Sequence, residues 1–223
     1  MADNLHFDQY GHAYDLIKAK YYYNLVKREY SAIIPSEKTI LDIGCGTGEM
    51  LNALKPSRGV GIDISPNMIK EAKKKFEEYS FIVAEGETFL KNVGGKYDFV
   101  VMVDLVEHLT SIDDTLAQIY EVCDTNTKIV ASWYNPLWEP VVRLAEILNI
   151  KMPEGPHKLV SIKRLSEMLV RHGYDVERAY YRFLLPVYIP YISDFVNKCI
   201  IKIHFMEPLL FYQFVIFRKR GNK

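Results

Sequence analysis

Thr39–Leu54, TILDIGCGTGEMLNAL, decides the fold. Thr39, Ile40, Leu41 and Ile43 make a short apolar run of the kind that forms a buried parallel strand. Asp42 interrupts it just before its end, and three glycines then fall on alternate positions, Gly44, Gly46 and Gly48. Met50, Leu51 and Leu54 follow on one helical face. The stretch reads as strand, tight glycine-rich turn and helix. Glycine admits positive φ and lets a ligand lie against bare main chain. The helix N-terminus is expected to offer unpaired N–H groups to that ligand.

The same alternation continues downstream. Gly59–Ile64 is a second short strand ending in Asp63, nineteen positions after Gly44. Ser65 and Pro66 then start a helix, serine as cap and proline in the first turn. Phe81–Ala84, Tyr97–Val103 and Lys128–Tyr134 give three more strands, with a helix over Asp113–Val122. Strand and helix alternating from Thr39 onward predict right-handed βαβ units and a parallel, doubly wound α/β sheet. Upstream, Leu5–Ile34 carries Tyr14, Ile17, Tyr21 and Leu25 at helical spacing and stops at Pro35.

Composition narrows the function classes. In 223 residues, 49% are hydrophobic and 25% charged, so a sizeable core is expected and wholesale disorder is not. Lys+Arg and Asp+Glu are both 28, so no global field recruits nucleic acid, and no nucleic-acid partner is expected. Cys45, Cys123 and Cys199 are too few and scattered for a disulfide framework or a zinc site, which fits a reducing compartment. Met1–Leu5 lacks a basic start and a following apolar run, and no long uncharged apolar stretch exists. Neither a signal peptide nor a membrane span is expected, and a cytoplasmic location follows.

The glycine pattern discriminates between cofactors. A dinucleotide turn needs G-x-G-x-x-G, but the third glycine position is Glu49, a carboxylate that would face a pyrophosphate. The pattern present is D-x-G-x-G-x-G, Asp42 to Gly48. It resembles motif I of the class I S-adenosylmethionine (SAM) dependent methyltransferases. The resemblance implies a single doubly wound, Rossmann-like seven-stranded sheet of order 3-2-1-4-5-7-6, mostly parallel, with the last strand antiparallel. It divides the chain into a helical cap (1–36), a SAM-binding core (37–134), an acceptor-loop region (135–158) and an insertion (186–208). SAM carries a sulfonium cation and no phosphate, so an acidic strand end suits it.

Carried over position by position, the resemblance implies a cofactor shell. Asp42, Gly44, Cys45 and Gly46 form the turn. Asp63 accepts the ribose hydroxyls, with Ile64 and Met68 behind it. Glu85 and Gly86 meet the adenine amino group, and Val103 lies at the end of strand four. Tyr14, with Tyr10, would line the sulfonium, because a cation is attracted to an aromatic face. No metal site is assigned.

Asp104–Leu109, DLVEHL, follows the fourth strand at the carboxyl end of the sheet, where ligands of open α/β folds sit. It resembles the ubiquinone O-methyltransferase subgroup. His108 is the candidate general base, with Glu107 or Asp104 orienting the ring; a helix cap and a divalent-metal ligand are its alternatives. Tyr134 and His157 are reserve candidates. The segment after strand five, NPLWEPVVRLAEILNIKMPEGPH, resembles methyltransferases of cell-surface glycan and lipid biosynthesis. The acceptor is therefore a small molecule, a glycan or a lipid, with a hydroxyl oxygen the expected atom. An N-methyltransferase, an NAD(P)-dependent oxidoreductase and a non-catalytic SAM-fold partner are the rival classes.

A sixth strand (Tyr174–Phe183) and a seventh (Leu209–Phe217) close the chain. Between them, Ile192, Phe195, Val196, Cys199, Ile200 and Ile203 share one helical face; Ser193, Asp194, Asn197, Lys198 and Lys202 occupy the other. The pattern predicts an amphipathic helix over Tyr188–Phe205 that covers the acceptor site or rests on a membrane surface, with packing on the sheet edge and a dimer contact as the alternatives.

Overall fold

Seven strands form one sheet of order β3-β2-β1-β4-β5-β7-β6 in a computed structural model that describes residues 20–84, 93–148 and 158–221. The strands are β1 (Thr39–Ile43), β2 (Arg58–Asp63), β3 (Ser80–Val83), β4 (Phe99–Val103), β5 (Lys128–Tyr134), β6 (Tyr174–Arg182) and β7 (Tyr212–Lys219). The first five pair in parallel, and β7 runs antiparallel to both β5 and β6. Near-continuous apolar runs such as Phe99–Val103 are what a strand buried on both faces requires.

Helices cover both faces. They are α1 (Lys20–Ile33), α2 (Glu49–Leu54), α3 (Pro66–Lys75), α4 (Ile112–Val122), α5 (Glu139–Ile147), α6 (Ile162–Arg171) and α7 (Ile192–Ile200). Each of α3, α4 and α6 starts at a serine whose Oγ accepts the backbone N–H three residues on. One core layer contains Leu41, Val100, Ile119, Trp133 and Leu169; the other contains Tyr30, Ile40, Leu51, Val101 and Phe214.

Three expectations are corrected. The described part of the N-terminal helix spans Lys20–Ile33; the rest of Leu5–Ile34, with Tyr10 and Tyr14, lies outside the described residues. Strand seven starts at Tyr212, because a 3₁₀ turn over His204–Leu209, containing Pro208, takes its expected first residues. The helix expected over Tyr188–Phe205 is only Ile192–Ile200. Pro190 and a left-handed Tyr191 (φ 65°) end the chain's extended approach immediately before it.

Its burial also mixes the two faces of the sequence pattern: Ile200 is buried and Asp194, Lys198 and Lys202 are exposed as expected, but other positions are exchanged. Ser193 and Asn197, from the polar face, are buried, while Ile192 and Phe195, from the apolar face, are exposed. Backbone hydrogen bonding decides this. Asn197 Oδ1 accepts the N–H groups of Leu184 and Leu185 (2.9 Å each), and its Nδ2 donates to Leu185 O (2.9 Å). Ser193 Oγ donates to Val187 O (2.7 Å) and accepts from Ile189 N (2.8 Å). An irregular segment packed against a helix needs partners for the peptide groups it turns away from water. Here the helix's own polar side chains supply them.

Candidate active site

The glycine turn lies between the ends of β1 and β2. Gly44, Gly46 and Gly48 all hold positive φ (75°, 51° and 82°). A Cβ on Gly48 would stand 2.7 Å from Phe81 Cζ and 3.1 Å from Phe76 Cδ2, so this glycine serves the packing of helix on sheet. A Cβ on Gly44 would stand 2.9 Å from Leu105 Cδ1. That contact brings the segment after β4 against the cofactor turn.

Four backbone donors of the turn are engaged internally. Gly44 N and Cys45 N both donate to Ile62 O (2.8 and 3.0 Å), and Gly48 N donates to Cys45 O (3.0 Å). Gly46 N donates to Asp63 Oδ2 (2.8 Å), while Asp63 Oδ1 accepts from Ser65 N (2.9 Å). A phosphate cradle needs free N–H groups aimed at the ligand. With these four taken and a carboxylate at its rim, the turn suits a cationic ligand instead, and the residues present fit SAM.

Asp63 thus fastens β2 to the turn. Each carboxylate oxygen accepts more than one hydrogen bond, so this role is compatible with holding ribose hydroxyls. Asp42 is 1% exposed on β1. Burial, then the charges of Asp63 and Asp42, pushes the Cys45 thiol well above its ordinary range. The Cys45 side chain sits in the core, where a Cβ on Gly61 would stand 2.8 Å from its Sγ. The thiol also lies 3.7 Å from Gly46 O, within the turn itself. Met68 is buried, its N–H capped by Ser65 Oγ (3.1 Å), and Ile64 and Val103 are half-buried at their strand ends. Glu85, Gly86 and His157 lie outside the described residues.

Glu49, the residue standing where a dinucleotide turn has glycine, is held by Lys27 of α1 (2.9 Å) and Lys75 of α3 (3.6 Å). It ties three helices together.

Next to the turn, at the carboxyl end of β4, Asp104 adopts φ 49°, a left-handed conformation rare for aspartate outside turns. Its Oδ1 accepts two phenolic protons, from Tyr22 of α1 (2.5 Å) and Tyr212 of β7 (2.6 Å). Ser132 Oγ lies 3.1 Å from Tyr212 Oη and 2.9 Å from Tyr30 Oη. Burial foremost, then the charge of Asp104, raises Tyr22 and Tyr212 well above the ordinary phenol range. Both therefore stay neutral donors. Their rings pack with Phe183 and Phe211 into an aromatic floor.

This cluster escaped the sequence reading. Tyr22, Asp104, Ser132 and Tyr212 come from four separate elements, and only the fold joins them. Asp104 Oδ1 is directed to the two tyrosines.

His108 closes a 3₁₀ turn over Val106–His108 and is half-buried. Ser111, not His108, caps the following helix, accepting the Asp114 N–H at 3.2 Å. Among the described residues, no group of three His, Cys, Asp or Glu is placed to hold a metal ion. Tyr134, the reserve candidate, donates its hydroxyl to Glu139 Oε2, and Glu139 Oε1 accepts from Arg143 Nε (2.6 Å).

A family profile described as "Methyltransferase domain" matches residues 15–179. The chain is 31% identical over 186 residues to aklanonic acid methyltransferase DauC of Streptomyces sp. (strain C5), covering 74% of this chain and 83% of that one. It is 25% identical over 140 residues to a ubiquinone biosynthesis O-methyltransferase of Aromatoleum aromaticum, covering 59% and 60%. With that one included, the chain spans 26–60% of the length of three curated relatives. Among solved structures, the putative methyltransferase in complex with the Trm112 activator from Haloferax volcanii superposes with a TM-score of 0.73 at 17% identity, covering 99% of both chains. The chain belongs to the class I SAM-dependent methyltransferase family.

Proposed function

We propose that this protein transfers the methyl group of SAM to a hydroxyl oxygen of a small-molecule, glycan or lipid acceptor. The observation that carries the reading is the seating of Leu105 on Gly44, which sets the Asp104–His108 turn directly beside the cofactor turn. Bound there, SAM supplies a methyl on positively charged sulfur, electrophilic without further activation. The chain's residues then have three tasks. Asp63 and the glycine turn hold the donor in place. The floor of Tyr22, Phe183, Phe211 and Tyr212 excludes water and shapes one wall of the acceptor space. His108 takes the proton that the hydroxyl loses as its oxygen bonds to carbon. In-line positioning supplies most of the rate, and the base adds roughly 10²–10⁴-fold.

Asp104 acts in this reading as a positioning residue. Two neutral phenols fix its carboxylate, and that carboxylate fixes the approach of α1 and β7 to the site. The ubiquinone O-methyltransferase relative supports oxygen as the acceptor atom. Labelled SAM incubated with the protein and fractionated lysate identifies the product. His108→Ala should lower turnover by roughly 10²–10⁴-fold with SAM affinity near that of the parent. Parent turnover in His108→Ala would remove the base.

A further inference from the structure

We infer that α7 and its flanking turns form a docking surface for an anionic phospholipid bilayer. The first observation is the outer side of the helix. Ser193 and Asn197 bind the protein's own backbone and Ile200 is buried beside them, while Phe195 is 67% exposed and Ile192 and Ile203 are open with it. Tyr191 and Phe205, at the two ends, are 95% and 85% exposed.

The second observation is strain at the same place. Tyr191 holds a left-handed φ of 65° while its ring stands almost wholly outside the protein. Such a conformation costs a bulky residue energy that the surrounding structure must offset. Among the described residues, no aromatic or cationic side chain packs on that ring in return. An aromatic ring with a hydroxyl tip suits the boundary between headgroups and acyl chains.

The third observation is charge. Lys198 and Lys202 are exposed on this segment and pair with no carboxylate among the described residues. The segment's own acids are directed elsewhere: Asp194 accepts from Tyr21 Oη (2.9 Å), and Glu207 pairs with His204 (3.0 Å). Apolar and aromatic side chains flanked by unpartnered lysines are the makeup of an interfacial helix.

A second exposed apolar helix leaves the same corner of the sheet. Leu137, Val141, Leu144 and Ile147 of the α5 region are each more than half exposed. Trp138 Nε1 donates to Leu209 O (2.9 Å), and Asn135 Nδ2 donates to Pro208 O and Leu210 O (2.8 and 2.9 Å). These bonds anchor the start of α5 to the turn that ends the α7 segment. No described helix is long and apolar enough to cross a membrane, so the contact is peripheral.

The inference stands apart from methyl transfer, and its test reads binding alone. The full chain is sedimented with vesicles of phosphatidylcholine mixed with phosphatidylglycerol, and with phosphatidylcholine alone. Partition onto the anionic vesicles is expected, weakened by salt. Lys198→Gln and Lys202→Gln should each reduce it about fivefold. Phe195→Ser combined with Tyr191→Ser should reduce it at least tenfold, with an unchanged melting temperature, since both side chains are outside the core. Equal partition onto both vesicle types, or none onto either, overturns the proposal. So does a dimer in light scattering that Phe195→Ser dissolves, because a second copy would then be the occupant.

Discussion

Replacing Asp63 by alanine removes one side chain that does two things. Its Oδ2 and Oδ1 receive the N–H groups of Gly46 and Ser65 at 2.8 and 2.9 Å, closing the cofactor turn onto β2. Each lost bond to a charged acceptor costs about 1–2 kcal/mol. Both sites are partly open to water, which restores some of this, so about 2 kcal/mol in total is expected. For a domain of this size, melting should fall by about 4–8 °C. In the proposed placement of SAM, the same change also removes the acceptor for the ribose hydroxyls. SAM affinity should drop at least tenfold by calorimetry, measured at a temperature where the variant is fully folded. Asp63→Asn separates the roles. Its amide oxygen keeps one backbone bond, while its NH₂ opposes the other N–H, so stability is partly rescued and ribose binding stays weak. Unchanged SAM affinity in Asp63→Ala, whatever its melting point, would refute the placement of the donor.

Four further outcomes follow from the same geometry. Tyr212→Phe removes one of the two protons on Asp104 Oδ1; turnover should fall several-fold with SAM affinity unchanged, read as a split between kcat and Kd. Gly48→Ala forces a Cβ to 2.7 Å from Phe81 at φ 82° and should lower the melting temperature by more than ordinary glycine-to-alanine changes do. Burial raises Cys45 well above the ordinary thiol range and pushes Cys123 up to about 12, whereas Cys199 is exposed; native protein at neutral pH should therefore react rapidly with maleimide at Cys199 alone, read by mass spectrometry. Thiols and phenols raised on folding contribute stability that is fully present below their unfolded values and lost as pH climbs above them; with Cys45, Tyr22 and Tyr212 all raised, melting should begin to fall above about pH 8.5, where free thiols ionise.

The parts of the fold legible in the sequence were those set by local pattern. Apolar runs such as Val100–Val103 located strands, serines before helices located starts, and D-x-G-x-G-x-G named the turn. The hydrogen-bond economy of that turn was not legible. Glycine spacing shows that backbone must bend, but not that Ile62 O and Asp63 receive its donors. Periodicity divided α7 into an apolar and a polar face, but burial mixes them, Ile200 from one lying beside Ser193 and Asn197 from the other. The default assumes that apolar surface drives burial; here the peptide groups of Leu184–Ile189 required polar partners, and Asn197 and Ser193 lay within reach. The Tyr22–Asp104–Tyr212 cluster was out of range of any local reading, being assembled by strand order alone.

The closed hydrogen-bonding of the glycine turn bears on turnover in the presence of product. A turn whose donors already bond to its own chain keeps its shape when empty, so the donor pays little ordering entropy on arrival. The demethylated product keeps the amino acid, ribose and adenine, and differs at the sulfur. If the turn holds SAM as proposed, the product keeps every contact to those shared parts and loses only the attraction between the sulfonium charge and the acidic rim. The enzyme's working rate is then governed by how quickly other catalysts remove that product, and strong product inhibition is its expected kinetic signature.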